Sequence, residues 1–90
     1  MYRVTDKLII LFLYMLLYVS KYSFDKLINM LLGHTVHFES DCMMFPIQGI
    51  NGKVISYKIV NNELVFKIKR SNGKLYDIGS NTHNLRFEIV

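Results

Sequence analysis

His34, His37, Asp41 and Cys42 bring two imidazoles, a carboxylate and a thiol into nine consecutive residues, and metal sites and thiol nucleophiles are built from such donors. The spacing argues against both chemistries. On a strand, His34 and His37 have opposite parity and project to opposite faces, and a lone thiol is more often inert than catalytic. Gly49 and Gly52 lead into a strand pattern rather than a helix, so they make no phosphate loop. The seven carboxylates are scattered, and no pair of them suits general acid and base work. The chain is therefore expected to be no enzyme and to carry no metal and no cofactor.

The cations offer a second chemistry. Residues 1–50 balance four cations against four carboxylates, whereas residues 51–90 hold seven cations against Glu63, Asp77 and Glu88, so the net charge of +4 lies wholly in the second half. If that half is a sheet, Lys58, Lys67, Lys69 and Arg86 fall on its outward face, where they could hold a nucleic-acid backbone by phosphate contacts. The aromatics that stack single-stranded bases would share that face, yet Tyr57, Phe66, Tyr76 and Phe87 have the opposite parity. Nucleic acid thus ranks below a solvated basic face whose lysines discourage edge pairing.

Which elements position these groups follows from hydrophobic periodicity. Leu8 to Val19 is a twelve-residue run without charge, glycine or proline. As a helix it spans roughly 18 Å, short of the roughly 30 Å of a hydrocarbon core. Arg3 and Lys7 ahead of it resemble the start of a signal peptide, but Tyr18 and Lys21 suit no cleavage site. A buried helix is the preferred expectation, with an uncleaved membrane anchor and a signal sequence as the alternatives. Next, Phe24, Leu27, Ile28 and Leu31 recur at the spacing of an amphipathic helix, with Ser23 as its N-cap and Gly33 as its stop. The two helices would form an antiparallel hairpin over residues 1–33. Such a pair resembles the first two helices of winged-helix domains, although "HTVHF" and Pro46 stand where a recognition helix would follow.

From residue 34 the period changes to two. Val36 and Phe38 mark an opening strand. Asn61 and Asn62 as a two-residue turn pair Ile59 with Leu64, Tyr57 with Phe66 and Ile55 with Ile68. In "SNG", a three-residue loop with Gly73 in the left-handed conformation pairs Ile68 with Tyr76, Lys67 with Asp77 and Phe66 with Ile78. A last strand carries Leu85, Phe87 and Ile89 inward. The order of a short strand, a long loop, three tightly connected strands, a short break and a final strand resembles the small SH3-like barrels over residues 34–90. The expected fold is one α+β domain of 90 residues, its helical hairpin packed on an SH3-like antiparallel barrel or strongly twisted meander.

A helix apolar on every side cannot bury its whole circumference against one sheet and one neighbour. Leu11, Tyr14, Met15 and Tyr18 share one face of it and are the expected partner-binding residues, taking a protein partner or a second copy. The single cysteine gives no disulfide framework, and a cytoplasmic setting is the default, with membrane association as the alternative. Abundant Asn, Lys, Ile and Tyr without Ala or Trp are what A+T-rich codons produce. On those grounds the expected function is a non-enzymatic protein-interaction module, such as an inhibitor or accessory subunit from a phage or plasmid.

Overall fold

A computed structural model describes residues 17–41 and 49–90. In chain order the elements are β1 (Leu17–Tyr18), a 3-10 turn (Val19–Lys21), α1 (Phe24–Leu31), β2 (Thr35–Glu39), β3 (Gly49–Val60), β4 (Glu63–Lys69), β5 (Leu75–Gly79) and β6 (Arg86–Ile89). All six strands belong to one antiparallel sheet in the order β1-β6-β2-β3-β4-β5.

α1 forms as its sequence dictates. Ser23 Oγ accepts the Lys26 amide at 3.3 Å, and Asp25 lies in the first turn, where the positive end of the helix favours a carboxylate. Gly33, at φ 84°, ends the helix. Leu27 and Leu31 are fully buried, with Phe24 and Ile28 packed beside them. Truncating either leucine to alanine would remove about 2–5 kcal/mol.

Both tight turns adopt the expected geometry. Asn61 and Asn62 have φ of 52° and 63°, the two left-handed residues of a type I′ turn, and Ile59 pairs with Leu64 and Tyr57 with Phe66. Gly73 has φ 84°, and Ile68, Lys67 and Phe66 pair with Tyr76, Asp77 and Ile78. One pairing differs. The β3–β4 register shifts between Val54 and Ser56, so Val54 and not Ile55 stands opposite Ile68. This bulge keeps Val54 in the core and leaves Ile55 41% exposed.

One core unites the described elements. Val36 and Phe38 of β2, Ile50 and Val54 of β3, Leu64, Phe66 and Ile68 of β4, Ile78 of β5 and Phe87 of β6 close on Leu27 and Leu31. The Phe38 and Phe66 rings lie 6.3 Å apart, and Tyr22 tilts against Phe87 at 5.8 Å.

The helical hairpin on an SH3-like barrel is overturned. Among the described residues α1 is the one helix of seven or more residues, and the sheet is open, with β1 and β5 at its two ends. Leu17 and Tyr18, expected to close a first helix, pair with Phe87 and Arg86 as a strand. An apolar run without polar punctuation does not reveal its period, and here the free side of β6 supplies backbone partners to its last residues. Leu8 to Leu16 lie outside the described residues. No helix of the described residues is long and apolar enough to cross a membrane.

Candidate functional site

Strand lengths determine where the surface is unsatisfied. β2 is five residues long and β3 is twelve, so β2 covers only the first half of β3, pairing Thr35 to Glu39 with Lys53 to Gly49. The last contact on that side is Val54, whose amide donates to His34 O at 3.0 Å while its carbonyl accepts from Gly33 N at 2.8 Å. Beyond it, Ile55 to Val60 pair with β4 alone. In a hairpin closed by a two-residue turn, the residues flanking the turn bond each other and the direction then alternates. Val60, Lys58 and Ser56 therefore point their backbone groups at β4. Those of Tyr57 and Ile59 point away from it, toward a side with no partner strand among the described residues.

Side chains compound this. Tyr57 and Ile59 share the face of Phe66 and Leu64, yet they are 44% and 55% exposed while those partners are fully buried. Ile55 and Val60 are also exposed. The result is a strand edge whose outward donors and acceptors meet no partner strand among the described residues, flanked by large apolar side chains. Strand length carried a signal for it: the run from Gly49 to Val60 is more than twice as long as the "TVHFE" strand that pairs with it.

The expected nucleic-acid face is largely dispersed. Lys67 Nζ is 3.0 Å from Asp77 Oδ1. The Arg86 guanidinium reaches Asp41 Oδ1 at 3.3 Å and Glu39 Oε1 at 3.7 Å and lies 5.8 Å from the Tyr18 ring centre. Burial opposes the Arg86 charge, but hydrogen bonds with Tyr18 and Asp41 outweigh it and raise its pKa. Lys69 instead stands directly opposite Lys53, and the two line a cleft with Arg70, Thr35, Asn51 and Ser71. Lys53 was missed because only the pairing register brings it opposite Lys69, and Arg70, although next to Lys69 in the chain, lies past the end of β4.

Arg86 belongs to a polar network across the outward face of β2 and β6. His37 contacts Asn51 through Nδ1 and Glu39 Oε2 through Nε2 at 2.9 Å. Asn84, in the left-handed conformation, donates to Asp41 Oδ2 at 2.7 Å. That hydrogen bond, aided by Arg86, holds the Asp41 carboxyl below its ordinary pKa. Ser40 Oγ donates to His83 O at 2.7 Å, so the end of β2 is tied to the 80–84 turn. Glu88 is buried in β6, and its Oε1 has no hydrogen-bond partner among the described residues. The network fastens β2 to β6 and Asn51.

Of the expected partner-binding residues, Leu11, Tyr14 and Met15 lie outside the described residues. Tyr18 is in β1, beneath Arg86, so it belongs to no helical stripe. His34 is exposed ahead of β2, Cys42 lies outside the described residues, and among the described residues no group of three or more His, Cys, Asp or Glu could hold a metal ion. No family model, curated protein or solved structure matches the chain.

Proposed function

We infer that this chain is a non-catalytic protein-interaction module that binds an extended segment by adding it as a strand beside Ile55 to Val60. The carrying observation is the half-paired β3, where outward backbone groups at Tyr57 and Ile59 coincide with exposed Ile55, Tyr57, Ile59 and Val60. An added strand would gain main-chain hydrogen bonds from the first and alternate side-chain contacts from the second. Burying those side chains would contribute at about 25 cal/mol per Å² of apolar area, offset by the cost of ordering the incoming segment. The test is selection of a random peptide library on the parent, with the Tyr57→Lys/Ile59→Lys double variant as the negative target. Peptides rich in alternating apolar residues, shifting the amides of residues 55–60 in NMR spectra and lost on the variant, are expected. Peptides that bind both proteins equally would discard the edge as the working surface.

A second reading rests on a different observation. Like charges directly opposite on a ladder are destabilising, yet Lys53 faces Lys69, with Arg70 beside them and no carboxylate among the described residues lining the cleft. A polyanion would relieve that repulsion. On this reading nucleic-acid binding is centred on Lys53, Lys69 and Arg70 rather than on Lys67 and Arg86. Anisotropy of a labelled single-stranded oligonucleotide at about 50 and 200 mM salt tests it, because phosphate contacts weaken steeply with salt. Equal, weak signals from the parent and Lys53→Gln/Lys69→Gln would dismiss it.

A further inference from the structure

We propose that the strand added at this edge is the same strand of a second copy of this chain, antiparallel about a two-fold axis through Tyr57. This rests on the strand-addition reading and names its occupant. The edge is bounded on both sides: Val54 already bonds His34 and Gly33, and the chain turns away at Asn61. Only Ile55 to Val60 are available.

Within that stretch the sheet itself limits the register. A two-fold axis perpendicular to a sheet keeps inward residues inward, so directly opposed residues must share parity and the axis must pass through a residue. Only axes through Tyr57 or Lys58 engage five residues. An axis through Lys58 sets Lys58 against its own copy, a like-charge pair at close range. An axis through Tyr57 sets Tyr57 against Tyr57, Ile55 against Ile59, and Lys58 against the uncharged Ser56. Three apolar pairs then line one face, and no like charges meet.

The backbone agrees with this choice. Tyr57 points its N–H and C=O away from β4, so the two Tyr57 residues at the axis exchange both hydrogen bonds. Ile59 presents its groups toward Ile55 of the other copy. The strip is the same on every molecule and complementary to itself, which is what a closed isologous dimer requires. Its small size, well under a standard interface, makes the dimer weak and concentration-dependent.

Cross-linking reads the register directly. With Cys42→Ser removing the native thiol, Tyr57→Cys would place two thiols on residues about 5.5 Å apart at Cα, within disulfide reach. Lys58→Cys would leave them offset by two residues, about 8 Å apart and beyond reach. Oxidation should dimerise the Tyr57→Cys variant at least tenfold faster than Lys58→Cys. Sedimentation of the parent from about 10 to 500 µM should show a monomer–dimer equilibrium, abolished by Ile59→Lys without a shift in its urea midpoint. Preferential cross-linking through Lys58→Cys would overturn the register, and a dimer that survives Ile59→Lys would overturn the interface. A parent monomeric throughout would overturn the second-copy occupant, while peptides still selected at residues 55–60 would leave strand addition standing.

Discussion

The two halves of β3 belong to one strand and each alternates inward and outward residues, on either side of the bulge between Val54 and Ser56, yet they have opposite fates. In Gly49 to Val54 the inward residues Ile50 and Val54 are buried; in Ile55 to Val60 every residue is exposed, Tyr57 and Ile59 included. The difference lies in what flanks them. In the first half β2 pairs with Gly49 to Lys53 and β4 joins only at Lys53 and Val54, whereas the second half has β4 on one side and no described strand on the other. Alternation shows which residues share a face, but a face is buried only where neighbouring elements cover it.

The sharpest way to break this comparison is to make the same substitution in both halves. Ile50 is 1% exposed and Ile59 is 55% exposed. Ile50→Ala should cost about 2–5 kcal/mol through lost burial and an unfilled cavity, while Ile59→Ala should cost under about 1 kcal/mol. Urea melts at low micromolar concentration, where the monomer prevails, give both numbers. Equal losses would mean that Ile59 is covered in solution.

Close packing of the first half gives the next effect. A Cβ on Gly52 would run into Ile68 Cγ2 and lie 2.9 Å from the Lys69 carbonyl oxygen. The side chain can yield but the backbone must shift, so Gly52→Ala should cost about 1–3 kcal/mol by overpacking. A variant as stable as the parent would show that β3 and β4 are further apart at this point. Gly73→Val should cost a similar or slightly smaller amount, about 1–3 kcal/mol, for a different reason. There is open space around Gly73, but its φ of 84° strains a β-branched residue. An unchanged urea midpoint would show that the turn takes another conformation.

The sequence carried the local half of this structure. Ser23 and the Phe24, Leu27, Ile28, Leu31 stripe specified α1, and the Asn61-Asn62 and Gly73 turns set two hairpin registers, because caps, periodicity and turn chemistry act within a few residues. It missed what depends on distant partners. Leu17 and Tyr18 became a strand because β6 had a free side, and Ile55 left the core because a bulge re-phased β3. The candidate site fell in this second class. Lys58 and Lys69 were legible as outward residues, but the free edge arises from a length mismatch between β2 and β3, and the Lys53–Lys69 pair from the register.

The smallest effect concerns the lock that holds β2 over the first half of β3. Asp41 accepts from Asn84 and Arg86, and its pKa is lowered by the Asn84 hydrogen bond first and by Arg86 second. In the unfolded chain the group titrates near the ordinary aspartate value, about 3.9. Above that value Asp41 is ionised in both states and its contribution is complete. As pH falls toward its lower folded value, the unfolded chain takes up the proton first and the contribution is progressively lost. Asp41 is exposed, so solvent screens the loss and it should be modest. Asp41→Asn should therefore flatten the acid limb of the stability curve below about pH 4, its modest loss appearing at neutral pH and vanishing in acid. Hydrogen exchange localises it: amides of Phe38, Glu39 and Ile50 should exchange faster in the variant, while that of Lys58, bonded to β4, should not. Equal acceleration at Lys58 would mean that the two halves of β3 open together, and the division drawn between them would hold for burial but not for stability.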